Sequence, residues 1–340
     1  MNIPLEAQQP DPGVRHSYPV AIEDAGIGTA FRLLLRTLPY ALVRLGILVG
    51  CTLGAVVWWL VAFGGAAFLG QHVAGPVGLV WFLVCAAGAG ALWKFLLRYV
   101  LYVVKCGHIA VLTELVTHDQ IGNGGESMFA YGKRVVTERF AQVNVLFAVD
   151  LLVKGVVSAF NRSLDWVAQL VPVPGLDSLV QIVNAIVRAA TTYIDETLFS
   201  YGLARGDDNP WATAKDGLVY YGQNAREVLK TAVWVVVLDK VLTGVAWVAC
   251  LVPGFLLASI MPGNVAGLAF VVGLLLALNL RSAFLKPLFL IMVMTKFHVS
   301  VRNQAIDATW DTRLGSVSDK FQEISENARA WIASPRATGV

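Results

Sequence analysis

Residues 45–69, LGILVGCTLGAVVWWLVAFGGAAFL, run for 25 residues without one charged side chain. As an α-helix such a run is about 37 Å long, more than the ~30 Å of bilayer hydrocarbon. Five further apolar segments lie at 76–104, 143–171, 176–199, 232–257 and 264–294. In hydrocarbon every backbone polar group must be satisfied within the chain, so repeated runs of this length leave helices as the spanning form. The composition agrees: 56% hydrophobic residues, 14% charged residues and a mean hydropathy of +0.64. The expected fold is an all-α integral membrane protein with six transmembrane helices in three hairpins. The segments at 76–104 and 264–294 continue through WKFLLRYVLYVVKCGHIAVL and RSAFLKPLFLIMVMTKF, so they should tilt or project beyond the bilayer. Pro287 is a candidate kink.

The connections set the orientation. Three short ones, GQHVAGPV, VPVPGLD and IMPGNVAG, contain no Lys or Arg, whereas the long ones carry Lys133, Arg134, Arg139, Lys215, Arg226 and Lys230. Basic residues stay on the cytoplasmic side, which places both termini and the long connections there. The polar opening stretch lacks the apolar core of a cleavable signal peptide. Richness in Ala, Val, Gly and Leu suggests a bacterial inner membrane.

Amphipathic stretches precede the three hairpins: IEDAGIGTAFRLLLR (22–36), GESMFAYGKRVVTERF (125–140) and AKDGLVYYGQNAREVLK (214–230). A fourth, SVSDKFQEISENARAW (316–331), closes the chain. Tyr131-Gly132 matches Tyr221-Gly222, Asp150 and Asp239 follow at similar distances, and KCGHIAV (105–111) echoes KFHVSV (296–301). We therefore expect a three-fold internal repeat of cytoplasmic helix and hairpin. The expected organisation is a disordered cytoplasmic tail over 1–20, repeats over 21–124, 125–211 and 212–312, an amphipathic helix over 313–332, and a tail over 333–340.

The second hairpin carries polar residues where lipid would tolerate none. Asp150, Lys154, Ser158, Asn161, Asp165 and Gln169 fall within one arc of about 100° at helical spacing. Asp177, Gln181, Asn184, Arg188, Thr191, Thr192 and Asp195 do the same on the next segment. With a turn near Val173–Pro174, Asp165 comes opposite Gln181 and Asn184, Arg162 near Asn184 and Arg188, and Lys154 near Asp195 and Glu196. A charge facing lipid at mid-depth costs about 2.5–3.5 kcal/mol, so the stripes should face water, each other or another subunit. Three readings fit: a solute pathway, a structural seam within or between subunits, or two amphipathic helices lying in the interface. Snorkelling accounts for Lys94, Arg98, Asp239, Lys240 and Arg281, nearer the cytoplasm. Trp166 beside Asp165, with Trp58, Trp59 and Trp81, could hold an organic cation, or could serve as interfacial anchors.

ATAKDGLVYYGQNAREVL (212–229), followed by an apolar helix and SVSDKFQEISENARAW (316–331), resembles the C-terminal half of the choline-transporter-like family. The resemblance covers residues 212–331 and implies transport of choline-like cations or related amphiphiles. Residues 1–200 have no counterpart in it, and that family's large extracellular loop is missing.

No GxxxxGK[ST] phosphate loop, GxSxG elbow, HExxH or CxxC pairing is present, so no enzyme activity, metal or cofactor is expected. RGDDNPWATAKD lacks calcium-loop spacing and reads as a loop ending on a helix cap. A net charge of +3 is too small to call for nucleic acid. The expected function is a pathway for a small polar or cationic solute, without its own ATPase. Asn161, Asp165, Asn184 and Arg188 would lie at its midplane, with Asp150, Lys154 and Asp195 at its cytoplasmic mouth. The alternative is a non-catalytic oligomeric membrane scaffold, its stripes forming subunit seams. The expected partners are membrane lipid, the solute and further copies of the chain.

Overall fold

The structure is a computed structural model describing residues 18–140, 152–153, 155–156, 192–206, 209–260 and 263–333. Among the described residues the chain is helical, with no strand. In chain order the helices are α1 (Ile27–Arg36), α2 (Leu38–His72), α3 (Gly75–His118), α4 (Met128–Phe140), α5 (Ile194–Arg205), α6 (Pro210–Gln223), α7 (Ala225–Ile260), α8 (Gly263–Leu280), α9 (Lys286–Val301), α10 (Ala308–Val317) and α11 (Asp319–Ala333). A π-helical turn, Arg281–Leu285, joins α8 to α9.

Four of these helical stretches are long and apolar enough to cross a membrane: Leu38–His72, Tyr99–His118, Ala225–Pro253 and Phe270–Val301. Gly75–Gly90 is a shorter apolar stretch of α3. The outward faces of α2 and α7 carry Leu53, Leu60, Val248 and Phe255, each more than 60% exposed. Contiguous apolar surface of this kind suits hydrocarbon and not water, and marks a membrane protein. At 44 residues, α3 exceeds the span of a bilayer, as its sequence implies. Within segments 143–171 and 176–199, the described residues are limited to 152–153, 155–156 and 192–199.

The chain forms two compact units. One comprises residues 34–108 and 238–288. Here α2 and α3 pack at very short range. A Cβ on Gly78 would lie 2.4 Å from the Ala66 carbonyl oxygen, and one on Gly65 would lie 2.4 Å from Trp81 Nε1. Trp58 Nε1 donates to the Cys85 carbonyl at 3.1 Å, so the indole crosses the hairpin with its polar atom satisfied. Trp59, Phe63 and Phe82 cluster beside it. His108 is buried, stacked on Tyr40 with ring centroids 5.1 Å apart, and bonded through Nε2 to Thr37 Oγ1 at 2.8 Å. α2 also packs on α8 and on the π turn, where Asn279 Nδ2 donates to Thr52 Oγ1 at 2.9 Å. The π turn ends two residues before Pro287, with the Lys286 amide bonded back to the Arg281 carbonyl. Proline has no N–H and its ring crowds the preceding turn, and the irregularity expected at Pro287 takes the form of this wide turn.

The other unit comprises residues up to 33, 109–237 and 289 onward. Its centre is α6, which packs against α5, α10 and α11. Gly217 lets Leu198 and Tyr201 approach, since a Cβ there would meet Leu198 Cδ2 at 2.6 Å. Tyr201, Tyr220, Phe297, Met294 and Phe321 fill the interior. The RGDDNPW loop ends on Asn209, whose side chain accepts from the Trp211 and Ala212 amides while Pro210 opens α6.

Two amphipathic stretches that read as single helices are interrupted. Residues 214–230 break at Asn224, whose Nδ2 donates to the Tyr220 carbonyl at 2.9 Å and to Gln304 Oε1 at 2.8 Å. Residues 316–331 break at Ser318, extended at φ −148°, whose Oγ accepts from the Phe321 amide. In both cases a side chain takes over backbone bonds at a helix end.

Candidate functional site

Of the eleven residues expected to line a pathway, Asp150, Lys154, Ser158, Asn161, Asp165, Gln169, Gln181, Asn184, Arg188 and Thr191 lie outside the described residues, as does Trp166. Asp195 lies in the first turn of α5 beside Glu196, half-buried, where the helix dipole favours negative charge. On the helix of the first stripe, Leu152, Val153 and Val156 are buried, and a Cβ on Gly155 would meet Lys320 Cγ of α11 at 3.0 Å. Gly155 therefore lies against the C-terminal amphipathic helix.

The structure brings together a polar cluster that the stripes do not include. Arg281, in the π turn, grips Asp239 of α7: Nε lies 3.1 Å from Oδ1, and Nη2 lies 2.9 Å from Oδ1 and 2.8 Å from Oδ2. Thr243, one turn further along α7, donates to Asp239 at 3.3 Å. Arg44 and Lys286 are within electrostatic reach, so the neighbourhood carries an excess of positive charge. These side chains were expected to reach singly toward water; instead Asp239 and Arg281 neutralise each other between membrane-length helices. The signal for the pair was present in the sequence. Opposite charges on consecutive apolar segments stand nearly equidistant from Met261–Pro262, so a hairpin turning there would bring them level.

A second cluster is sealed inside the other unit. Thr113 Oγ1 donates to the Ile109 carbonyl at 2.8 Å and lies 2.7 Å from Ser200 Oγ. Ser200 Oγ is 2.8 Å from His298 Nε2, and His298 Nδ1 is 2.9 Å from the Tyr18 hydroxyl. The Thr113 proton is committed to a carbonyl, which fixes the other directions. Ser200 donates to Thr113, His298 donates through Nε2 to Ser200, and Tyr18 donates to Nδ1. Burial pushes the Tyr18 phenol above its ordinary value, so it keeps the proton it donates. Ser200 and His298 have no exposed surface. This serine gives its proton to a threonine rather than to the imidazole, and the imidazole is oriented by a phenol. That is a structural chain, without the directions nucleophilic attack requires. Nearby, Arg205 Nη1 bonds Asp216 Oδ2 at 2.7 Å, each side chain 6% exposed.

Among the described residues no group of three or more His, Cys, Asp or Glu could hold a metal ion. No protein-family model, curated protein or solved structure matches the chain.

Proposed function

We propose that the protein is a membrane transporter or channel-like pathway for a small polar or organic-cation solute, passive or ion-coupled, lined by the polar stripes of residues 143–171 and 176–199. In this reading the chain crosses the bacterial inner membrane six times, as three repeated hairpins with both termini in the cytoplasm. The observation that carries it is the pair of stripes: two consecutive apolar segments, each polar along one face for its whole length. The Asp239–Arg281 pair supports it, because it joins α7 to an irregular helical turn, and broken helices are a recurring feature of solute sites. The resemblance of residues 212–331 to choline-transporter-like proteins supports a cationic or amphiphilic solute.

The test is uptake of radiolabelled choline and other small organic cations into proteoliposomes. Asp165→Asn and Arg188→Gln should each impair flux at normal expression. Normal transport by both variants would overturn the lining assignment.

A second reading, an oligomeric scaffold or lipid-organising protein, draws on the buried hydrogen bonds of His298 and His108, through which this chain uses buried polar groups to hold helices together. It predicts that the same two substitutions change oligomer size in mild detergent. An unchanged oligomer with altered permeability would count against it.

A further inference from the structure

We propose that α1 lies in the cytoplasmic interface of the membrane, with Ile27, Phe31 and Leu35 in the acyl boundary and Arg32 and Arg36 on the phosphates of anionic lipid headgroups. This goes beyond the transport reading and holds whatever passes through the membrane.

The argument rests on how the surface of one helix is divided. Thr29, Ala30, Leu33 and Leu34 are buried and occupy one side of α1. Ile27, Gly28, Phe31, Arg32, Leu35 and Arg36 are exposed and occupy the other. The exposed side is itself divided. Ile27, Phe31 and Leu35 follow one another at i, i+4 and i+8 and form an apolar stripe, 45–52% exposed. Arg32 and Arg36 form a parallel basic stripe beyond it. A helix in water has no use for a second apolar face beside the one it buries. A helix at a bilayer interface needs this sequence of faces: protein, acyl chains, then headgroups.

Two features fix the helix there. Its N-terminal approach is pinned: the Ala21 amide bonds the Val116 carbonyl at 2.9 Å, Ile22 is buried, and Thr29 donates to Asp24. Its C-terminal end runs through Thr37 alone into α2, whose first turns expose Leu42 and Val43 and lead into the exposed apolar surface of a membrane-length helix. The apolar stripe is therefore continuous in sequence with surface that meets hydrocarbon. Two arginines and no acidic residue in the helix select anionic headgroups. A second copy of the chain could also cover the stripe, and the test separates the two.

In a Cys-free background of the full chain, single cysteines at positions 27, 31, 32, 35 and 36, with Ala308 on exposed α10 as reference, would carry a nitroxide. The protein would be reconstituted in phosphatidylcholine alone and in phosphatidylcholine with phosphatidylglycerol. Collision with oxygen, which concentrates in acyl chains, would be compared with collision with a water-soluble nickel chelate. The expected result is a several-fold higher oxygen-to-nickel ratio at 27, 31 and 35 than at 308, with 32 and 36 between. The ratio at 31 should rise when phosphatidylglycerol is included, and R32Q/R36Q should remove that rise. All substituted positions are exposed, so the fold should tolerate them. Nickel access at 27, 31 and 35 equal to that at 308 would place the face in water and overturn the proposal. Spin–spin broadening between labels at 31, with both reagents excluded, would show a second copy on the face and overturn it equally.

Discussion

Asp216 and Arg205 face each other with almost no solvent contact. Such a pair is costly to create, but far costlier to halve, because the remaining charge is stranded. Asp216→Asn should lower stability by about 3–5 kcal/mol, read as a large drop in melting temperature in detergent. An unchanged melt would mean that water reaches the pair. Tyr18→Phe removes the donor to His298 Nδ1 and leaves one buried acceptor unsatisfied, a loss of about 1–3 kcal/mol. Limited proteolysis should then cut the segment before α1 sooner; wild-type protection would contradict the assigned direction of the chain. Neither residue stands out in the sequence. Tyr18 is a lone tyrosine in a polar stretch, and its partners His298, Ser200 and Thr113 are scattered along the chain. Local pattern carries no trace of such a meeting. Asp239 and Arg281 were more legible, because a single hairpin relates them.

The long helices are written in the sequence as apolar runs with few charges, and α2, α3 and α7 appear where hydropathy puts them. Their interruptions are less visible. Pro287 announces an irregularity, but not that a wide turn will absorb it. The breaks at Asn224 and Ser318 are made by side-chain bonds, at Asn224 partly with Gln304, and helix periodicity runs straight through both. The Asp239–Arg281 pair fastens α7 to the π turn, so Asp239→Asn should cost about 1.5–3 kcal/mol, with recovery in the charge-swapped D239R/R281D double variant. Failure of the swap to recover any thermal stability would mean that the pair serves something other than mutual attachment. The α2–α3 hairpin depends on bare backbone at one point. Gly78→Ala should destabilise by about 1–3 kcal/mol, since its methyl meets the Ala66 carbonyl, whereas Gly50→Ala, with nothing within 4 Å, should melt like the wild type. Equal behaviour of the two variants would refute the close approach.

At the scale of the whole molecule, one unit has a surface made for lipid, and the other has an interior of buried tyrosines with a buried histidine and a buried ion pair. The first was legible because hydrocarbon permits so few sequences. The second was not, because its polar residues look from the sequence like an ordinary solvated face. The stripes of the second hairpin lie between these cases: their periodicity is plain, and their surroundings decide what they do. Lining a water-filled pathway requires that reagents from the aqueous phase reach them in succession.

The measurement to make is therefore thiol accessibility along the stripes. Cys51, Cys85, Cys106 and Cys250 are free and mostly buried, so small replacements should give a folded Cys-free background. Single cysteines at Ser158, Asn161, Asp165, Asn184 and Arg188 would be probed with a small membrane-impermeant thiol reagent in intact membranes. A pathway predicts labelling at successive stripe positions, slowed by a transported organic cation. Silence along both stripes, with normal labelling in the connecting loops, would mean a dry seam and would contradict the transport reading.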